Sequence, residues 1–402
     1  MNCAILVPNY FLSGGVKTVA NFIKDNLIKR GIKVDVISLK NGVRESLSRS
    51  ITRPSSWFKG VQTNLVMDGD TRVYEYGTNW SEFEFQRYKP TKELTKKLNE
   101  YDIVQVVAGT PAWANLCRDS NPPIILQVAT LTNIEREALL KTTGGLKGLW
   151  YKWMTKIVTG LDKIGMETAD AIMVENNWMQ KKLLSLGYES KTHLAPPGID
   201  ISIFKSKKSD PGSENLIDSD YILSVGRLAD PRKDVRTLFE AYAKLKKITS
   251  DTPKLVLAGK TLPGEGLMKF AEELGITQDL YMFQEVSFRD LISLYQHASI
   301  FVLSSREEGL GMVIMESMAC GIPVVATDCG GPNTLIDDST DGFLIKVGDS
   351  DGMANKIKAL LDPPLNNEFS EKAIKKIKTD FNSDICIQRY ISVYHWLLKP
   401  KI

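Results

Sequence analysis

The sequence predicts an α/β protein built from two tandem doubly wound, Rossmann-like domains, and three observations carry that prediction. The chain opens with a strand–loop–helix–strand unit, short apolar runs then alternate with helical spacing, and the alternation restarts after a break at Pro196-Pro197-Gly198. A length of 402 residues fits roughly two to three domains.

The elements follow in order. Residues 3–8 (CAILVP) form the first strand, and Asn9 to Gly15 a glycine-bearing loop. Val16, Val19, Ala20, Ile23, Leu27 and Ile28 recur at helical spacing; Gly31 ends that helix, and KVDVISL is the next strand. LVMDGDTRVYEY reads as a hairpin turning at Asp68-Gly69. DIVQVVA, PPIILQVAT and ADAIMVE resume the strand rhythm. After the break and the polar stretch KSKKSDPGSEN, the strands YILSVG, KLVLAG, LYMFQ, SIFVLSS and PVVATD alternate with helices, the signature of a parallel sheet. The expected domains are residues 1–197 and 198–380, with a last amphipathic helix at 381–402.

Composition excludes some classes. Hydrophobic residues make up 43% and charged residues 25%, with a net charge of only +3, so no global field points to nucleic acid. The five cysteines are odd in number and form no C-x-x-C pair, which argues against a disulfide framework or a cysteine zinc site. The start MNCAILVPNY lacks a basic, long-apolar leader, and no apolar run is long enough to span a membrane. The expected location is the cytoplasm.

Open parallel sheets bind ligands beyond the carboxyl ends of their strands. Four segments lie at such ends. Ser13-Gly14-Gly15-Val16 offers a close backbone approach and a helix N-terminus for a phosphate, or a plain tight turn. Arg227 and Lys233 follow YILSV and could compensate a diphosphate leaving group, or be solvated cations. Glu308 and Glu316 flank Gly309-Leu310-Gly311-Met312. If one helix carried both acids, eight steps would separate them by about 12 Å of rise and about 80° of rotation, matching the two diols of a nucleotide sugar. Its apolar flanks make an unpartnered Glu316 costly. Asp328-Cys329-Gly330-Gly331-Pro332 follows PVVAT on the same side.

Together these segments resemble the retaining, nucleotide-sugar-dependent glycosyltransferases of family four (glycosyl transferases group 1), of GT-B architecture, in which two Rossmann-like domains face each other across a cleft. The resemblance runs through Gly14-Gly15, PPGIDISIF (196–204), GRLADPRKD (226–234), LVLAGK, the E-x7-E segment and PVVATDCGG. It implies that Glu316 binds the ribose, that Glu308 binds the donor sugar, and that Arg227 and Lys233 steady the departing diphosphate. The backbone at Gly14-Gly15 and Leu310-Gly311-Met312 would hold phosphate and sugar. It also implies a metal-independent, cofactor-free transfer from a UDP- or GDP-sugar to a glycan or lipid-linked acceptor in cell-surface polysaccharide synthesis, and a last helix that crosses back to the N-terminal domain. One departure stands out. Many relatives carry a histidine after a central strand of the N-terminal domain, whereas the histidines here are His193, His297 and His395. Gln127 or Ala129 stands in that place, with Thr130 or Thr132 as substitutes.

Other readings compete. Asp68-Gly69-Asp70 is a D-x-D, which in another transferase fold holds a metal, although the turn reading is preferred. Residues 139–164 interleave Lys141, Lys147, Lys152, Lys156 and Lys163 with Leu149, Trp150, Trp153, Met154 and Ile157. This is either an interfacial segment for an anionic membrane surface or an amphipathic helix on the sheet. A non-catalytic nucleotide-sugar-binding GT-B subunit and a nucleotide-sugar epimerase of similar architecture are the alternative functions.

Overall fold

The computed structural model describes residues 1–12, 14–42, 45–207, 212 and 214–399. It divides into two units. The first comprises Met1–Glu175, Met179–Pro197 and the chain from Cys386 onward; the second comprises Asn176–Trp178 and Gly198–Ile385. Residues 381–385 therefore sit with the second unit, and the last segment joins the first only at Cys386.

The first unit holds an eight-stranded sheet. Its strands are β1 (Asn2–Pro8), β2 (Lys33–Lys40), β3 (Thr63–Asp68), β4 (Thr71–Gly77), β5 (Ile103–Ala108), β6 (Ile124–Val128), β7 (Ala171–Val174) and β8 (Thr192–Leu194). Their spatial order is β3-β4-β2-β1-β5-β6-β7-β8. All pairs are parallel except β3–β4, the hairpin that turns at Gly69-Asp70, with Gly69 at φ 58°. The central strands are buried on both faces, which explains their unbroken apolar runs. Helix Gly15–Ile28 buries Val19, Ala20, Ile23 and Leu27 against this sheet. It ends where Ile32 N–H reaches back to the Leu27 carbonyl, with Gly31 at φ 74°.

The terminal helix Ser383–Leu398 packs within the first unit from Cys386 on. Tyr390 Oη donates to the Ala195 carbonyl at 2.8 Å, and Tyr394 Oη to Gln105 Oε1 at 2.9 Å.

The second unit holds a six-stranded, wholly parallel sheet: β9 (Tyr221–Arg227), β10 (Lys254–Thr261), β11 (Leu280–Gln284), β12 (Ile300–Leu303), β13 (Val324–Thr327) and β14 (Phe343–Ile345). The order is β11-β10-β9-β12-β13-β14, so the strand order reverses between β9 and β12. In such sheets this switch point opens the ligand crevice. Helix Val235–Ile248 buries Leu238, Phe239, Tyr242 and Leu245 on one face.

Candidate active site

In the second unit, β9 and β12 are neighbours, and the loops leaving their carboxyl ends carry the acidic and basic residues singled out above. Arg227 ends β9. Its side chain is about half exposed and reaches Asp230 at 3.4 Å. The loop then closes in the short turn Pro231–Lys233, where Asp230 caps Arg232 N–H at 3.0 Å. Asp234 takes the left-handed region at φ 46°, which aims the chain into helix Val235–Ile248.

This loop is pinned to the one after β12. Ser304 Oγ donates to the Lys233 carbonyl at 2.8 Å, Arg306 N–H to the Arg232 carbonyl at 2.7 Å, and Arg306 Nε pairs with Asp234 at 2.9 Å. As a result the Lys233 ammonium meets the Glu308 carboxylate, with both side chains largely buried, and Ser305 Oγ donates to the same carboxylate oxygen at 2.8 Å. A buried pair of this kind is held in place because removing either partner leaves an uncompensated charge. Ser304, Ser305, Arg306 and Asp234 complete this network without having been picked out from the sequence. The signal was there in part, since SSRE places two hydroxyls and a cation directly before Glu308.

The expectation that Glu308 and Glu316 share one helix is corrected. The helix runs Met312–Ala319, and Glu308 lies in the preceding loop, bridged to Gly330. Gly311 at φ 92° breaks helical continuity, and Gly331 N–H donates to the Glu308 carbonyl at 3.1 Å. The loop of Asp328 to Pro332 thus lies against Glu308. Only glycine fits at Gly331, because a Cβ there would stand 2.7 Å from the Gly309 carbonyl oxygen. Leu310 and Gly311 are buried, and Met312 opens the helix; the Ile314 N–H donates to the Gly311 carbonyl at 2.8 Å, which leaves the N–H groups of Met312 and Val313 without an intrahelical partner.

Glu316 is on the helix as expected, and its partner is Tyr295, which donates its hydroxyl to Oε2 at 2.7 Å. Burial pushes the Glu316 carboxyl above its usual range, against the lowering effect of that hydrogen bond. The tyrosine engages one of the two carboxylate oxygens.

Gly14 and Gly15 belong to the first unit. Gly14, at φ 145°, is the N-cap of helix Gly15–Ile28, and a Cβ at either glycine would meet nothing within 4 Å. Ser13 lies outside the described residues. Of the proposed substitutes for the histidine, Thr132 is fully buried and committed to Asp162, through its N–H at 2.8 Å and its hydroxyl at 3.0 Å. Gln127 is buried with its amide facing Glu175 at 3.5 Å. Thr130 is half-buried just past β6. Asp68 of the D-x-D is held by Tyr10 at 2.7 Å and Lys24 at 3.1 Å, so it anchors the hairpin to the first helix.

Residues 139–164 divide between helix Glu137–Thr142 and helix Gly145–Thr168. Met154 and Val158 are buried, whereas Leu146 is 87% exposed and Leu149, Trp150 and Trp153 are also exposed. Leu146, Leu149, Trp150 and Trp153 thus lie ahead of Met154, where the buried residues of the helix, Gly148 apart, begin.

The model of Glycosyltransferase Family 4 matches residues 13–203, and that of Glycosyl transferases group 1 matches residues 206–377. A putative glycosyltransferase, EpsD of Bacillus subtilis, is 38% identical over 77% of this chain and 82% of its own length. The lipopolysaccharide core biosynthesis glycosyltransferase LpsE of Rhizobium meliloti is 26% identical over 56% of this chain and 64% of its own. Anabaena HepE, solved in complex with UDP-glucose, superimposes with a TM-score of 0.69 at 16% identity, covering 98% of this chain and 99% of that one. The chain is therefore a glycosyltransferase of the group 1 family, with the GT-B fold.

Proposed function

We propose that this protein transfers a sugar, with retention and without a metal, from a UDP- or GDP-sugar to a glycan or lipid-linked acceptor in cell-surface polysaccharide synthesis. The observation that carries the reading is the Lys233–Glu308 pair, set beside the open N-terminus of helix Met312–Ala319 at the switch point of the second sheet. The HepE complex and the LpsE name support the nucleotide sugar and the glycan acceptor respectively.

In this reading the donor's ribose hydroxyls donate to Glu316, and Glu308 accepts from the sugar hydroxyls. Arg227, Lys233 and the N–H groups at Met312 hold the diphosphate. The bond from the anomeric carbon to the diphosphate oxygen breaks as the acceptor oxygen attacks from the same face. The acceptor proton passes to the departing phosphate oxygen. Cations stabilise the charge that develops there, which makes the effect larger in the transition state than in the ground state. Lys233 exchanges part of its contact with Glu308 for phosphate, which releases Glu308 to the sugar.

The bare half of helix Gly145–Thr168, with lysines beside Trp150 and Trp153, supports a peripheral position on the inner face of the cell membrane. The test is a thermal-shift screen of UDP-, GDP- and ADP-sugars, followed by transfer assays with and without EDTA and assignment of the product's anomeric configuration. Stabilisation by one UDP- or GDP-sugar and EDTA-resistant, retained transfer are expected. An inverted product, or activity abolished by EDTA and restored by a metal, would overturn those parts. Failure to pellet with anionic vesicles at low salt would remove the membrane.

A further inference from the structure

The stretch GRLADPRKD sets one acid between two arginines: Arg227 at the end of β9, then Asp230, then Arg232. The two arginines hold that acid unequally. Arg232 engages both of its oxygens. The Arg232 backbone N–H and Nε reach Oδ1 at 3.0 and 3.2 Å, and Nη2 reaches Oδ2 at 2.8 Å. Arg227 shares Oδ2 from 3.4 Å, longer than a good hydrogen bond, with its side chain 53% exposed. An ion pair that open to water contributes little. Burial raises the Asp230 carboxyl, but the hydrogen bonds from Arg232 and the charges of Arg232 and Arg227 hold it below its usual range. It is therefore ionised at neutral pH.

This contact differs in kind from the Lys233–Glu308 pair, whose side chains are both 14% exposed. Arg227 can leave Asp230 at small cost, because Arg232 keeps the carboxylate bonded through three N–H groups. Carboxylate and phosphate take the same guanidinium fork. Asp230 and the diphosphate of the reading above thus compete for Arg227, and Asp230, tied to the turn Pro231–Lys233, stays behind as a negative charge beside the incoming one. Transfer sharpens that competition. Once the anomeric bond breaks, the leaving oxygen belongs to a terminal phosphate whose second ionisation lies at about pH 6. At neutral pH the nucleoside diphosphate then carries about one more negative charge than the sugar-capped donor. A fixed carboxylate opposes the product more than the substrate.

We propose that Asp230 is a positioning residue for product release, drawing Arg227 back as the nucleoside diphosphate leaves. The inference rests on the reading of Arg227 as a diphosphate ligand, and adds a group that weakens nucleotide binding. The full chain is titrated calorimetrically with UDP, GDP and ADP. Asp230→Asn and Asp230→Ser remove the charge and keep an acceptor for the Arg232 N–H, so the turn is retained, which an unchanged melting temperature verifies. Both should bind the preferred nucleotide more tightly, with Kd lower by roughly three- to tenfold, as befits a solvent-screened charge, whereas a purely structural role would loosen binding. The gain should shrink in high salt. It should vanish when Arg227→Gln is added, since the acid acts through that guanidinium. Unchanged or weaker binding in the folded variants overturns the proposal, as does an equal gain in the Arg227→Gln background. Nucleotide binding that Arg227→Gln alone leaves intact, or no binding of any of the three nucleotides by the parent, sinks the diphosphate reading and the proposal with it, so the two failures are separable.

Discussion

The two units treat their buried polar atoms differently. Among the described residues, each buried side-chain atom that lacks a hydrogen-bond partner belongs to the first unit: those of Asn26, Arg49, Arg53, Ser81, Glu82, Gln105, Gln127, Thr155 and His193. In the second unit the charged side chains near the switch point each hold a partner, Lys233 with Glu308, Glu316 with Tyr295 through one oxygen, Arg306 with Asp234. The difference teaches where preorganisation sits. A site that must stabilise developing charge gains from groups already fixed in place, since no reorganisation is needed at the moment of reaction.

The largest expected effect breaks the saturated side of that comparison. Lys233→Ala should lower the transfer rate by roughly 10²–10³-fold, about 3–4 kcal/mol of transition-state stabilisation. Glu308→Ala should do the same. Because the two touch, their effects should not add, and the double variant should fall little below the worse single one. Steady-state kinetics on the three variants checks this. Unchanged transfer in either single variant would remove that residue from the machinery, and full additivity would show that the pair does not act as a unit.

A smaller effect tests whether saturation matters away from the reacting bond. Tyr295→Phe removes the hydroxyl that orders Glu316 Oε2 and leaves a buried carboxylate oxygen unpaired. The expected result is a rise of about tenfold in the donor KM, in line with the roughly 1.5–3 kcal/mol of a hydrogen bond to a charged group, with kcat little changed. A fall in kcat at constant KM would instead put Glu316 in the chemical step.

Legibility followed the same division. Strand and helix rhythm was readable in both units because buried parallel strands are unbroken apolar runs, and Asp68-Gly69 announced its hairpin through a φ that glycine tolerates. The basic and acidic residues of the second unit stood out because Arg227, Lys233 and Glu308 lie at or in the loops after β9 and β12, and Glu316 interrupts an apolar run. What failed was the assumption of helical continuity from Glu308 to Glu316: spacing alone does not reveal that Gly311 takes φ 92° and that the helix starts at Met312. Tyr295, the partner of Glu316, was illegible because it comes from another helix. Thr132 looked available for sugar placement until its contacts with Asp162 were seen.

The smallest effect concerns the unsaturated side. Glu175, at the end of β7, is buried beside Gln127, and burial pushes its carboxyl up to about 7. Tyr390 also faces it from the terminal helix. The folded state therefore holds a proton that the unfolded chain, with an ordinary carboxyl, releases near pH 4.5. For such a raised acid, stability is greatest below the unfolded value and falls as pH rises toward 7, after which the loss is complete. Glu175→Gln keeps the size and removes the ionisation. It should leave the melting temperature nearly unchanged at pH 5 and raise stability by about 1–2 kcal/mol at pH 8, less than the full shift implies because local relaxation and water soften buried charges. Urea unfolding of both proteins at the two pH values checks the sign. A gain that is equal at pH 5 and pH 8 would mean that Glu175 is not the titrating group, and a loss at pH 8 would mean that its charge is used, which would make it a functional carboxylate of the first unit.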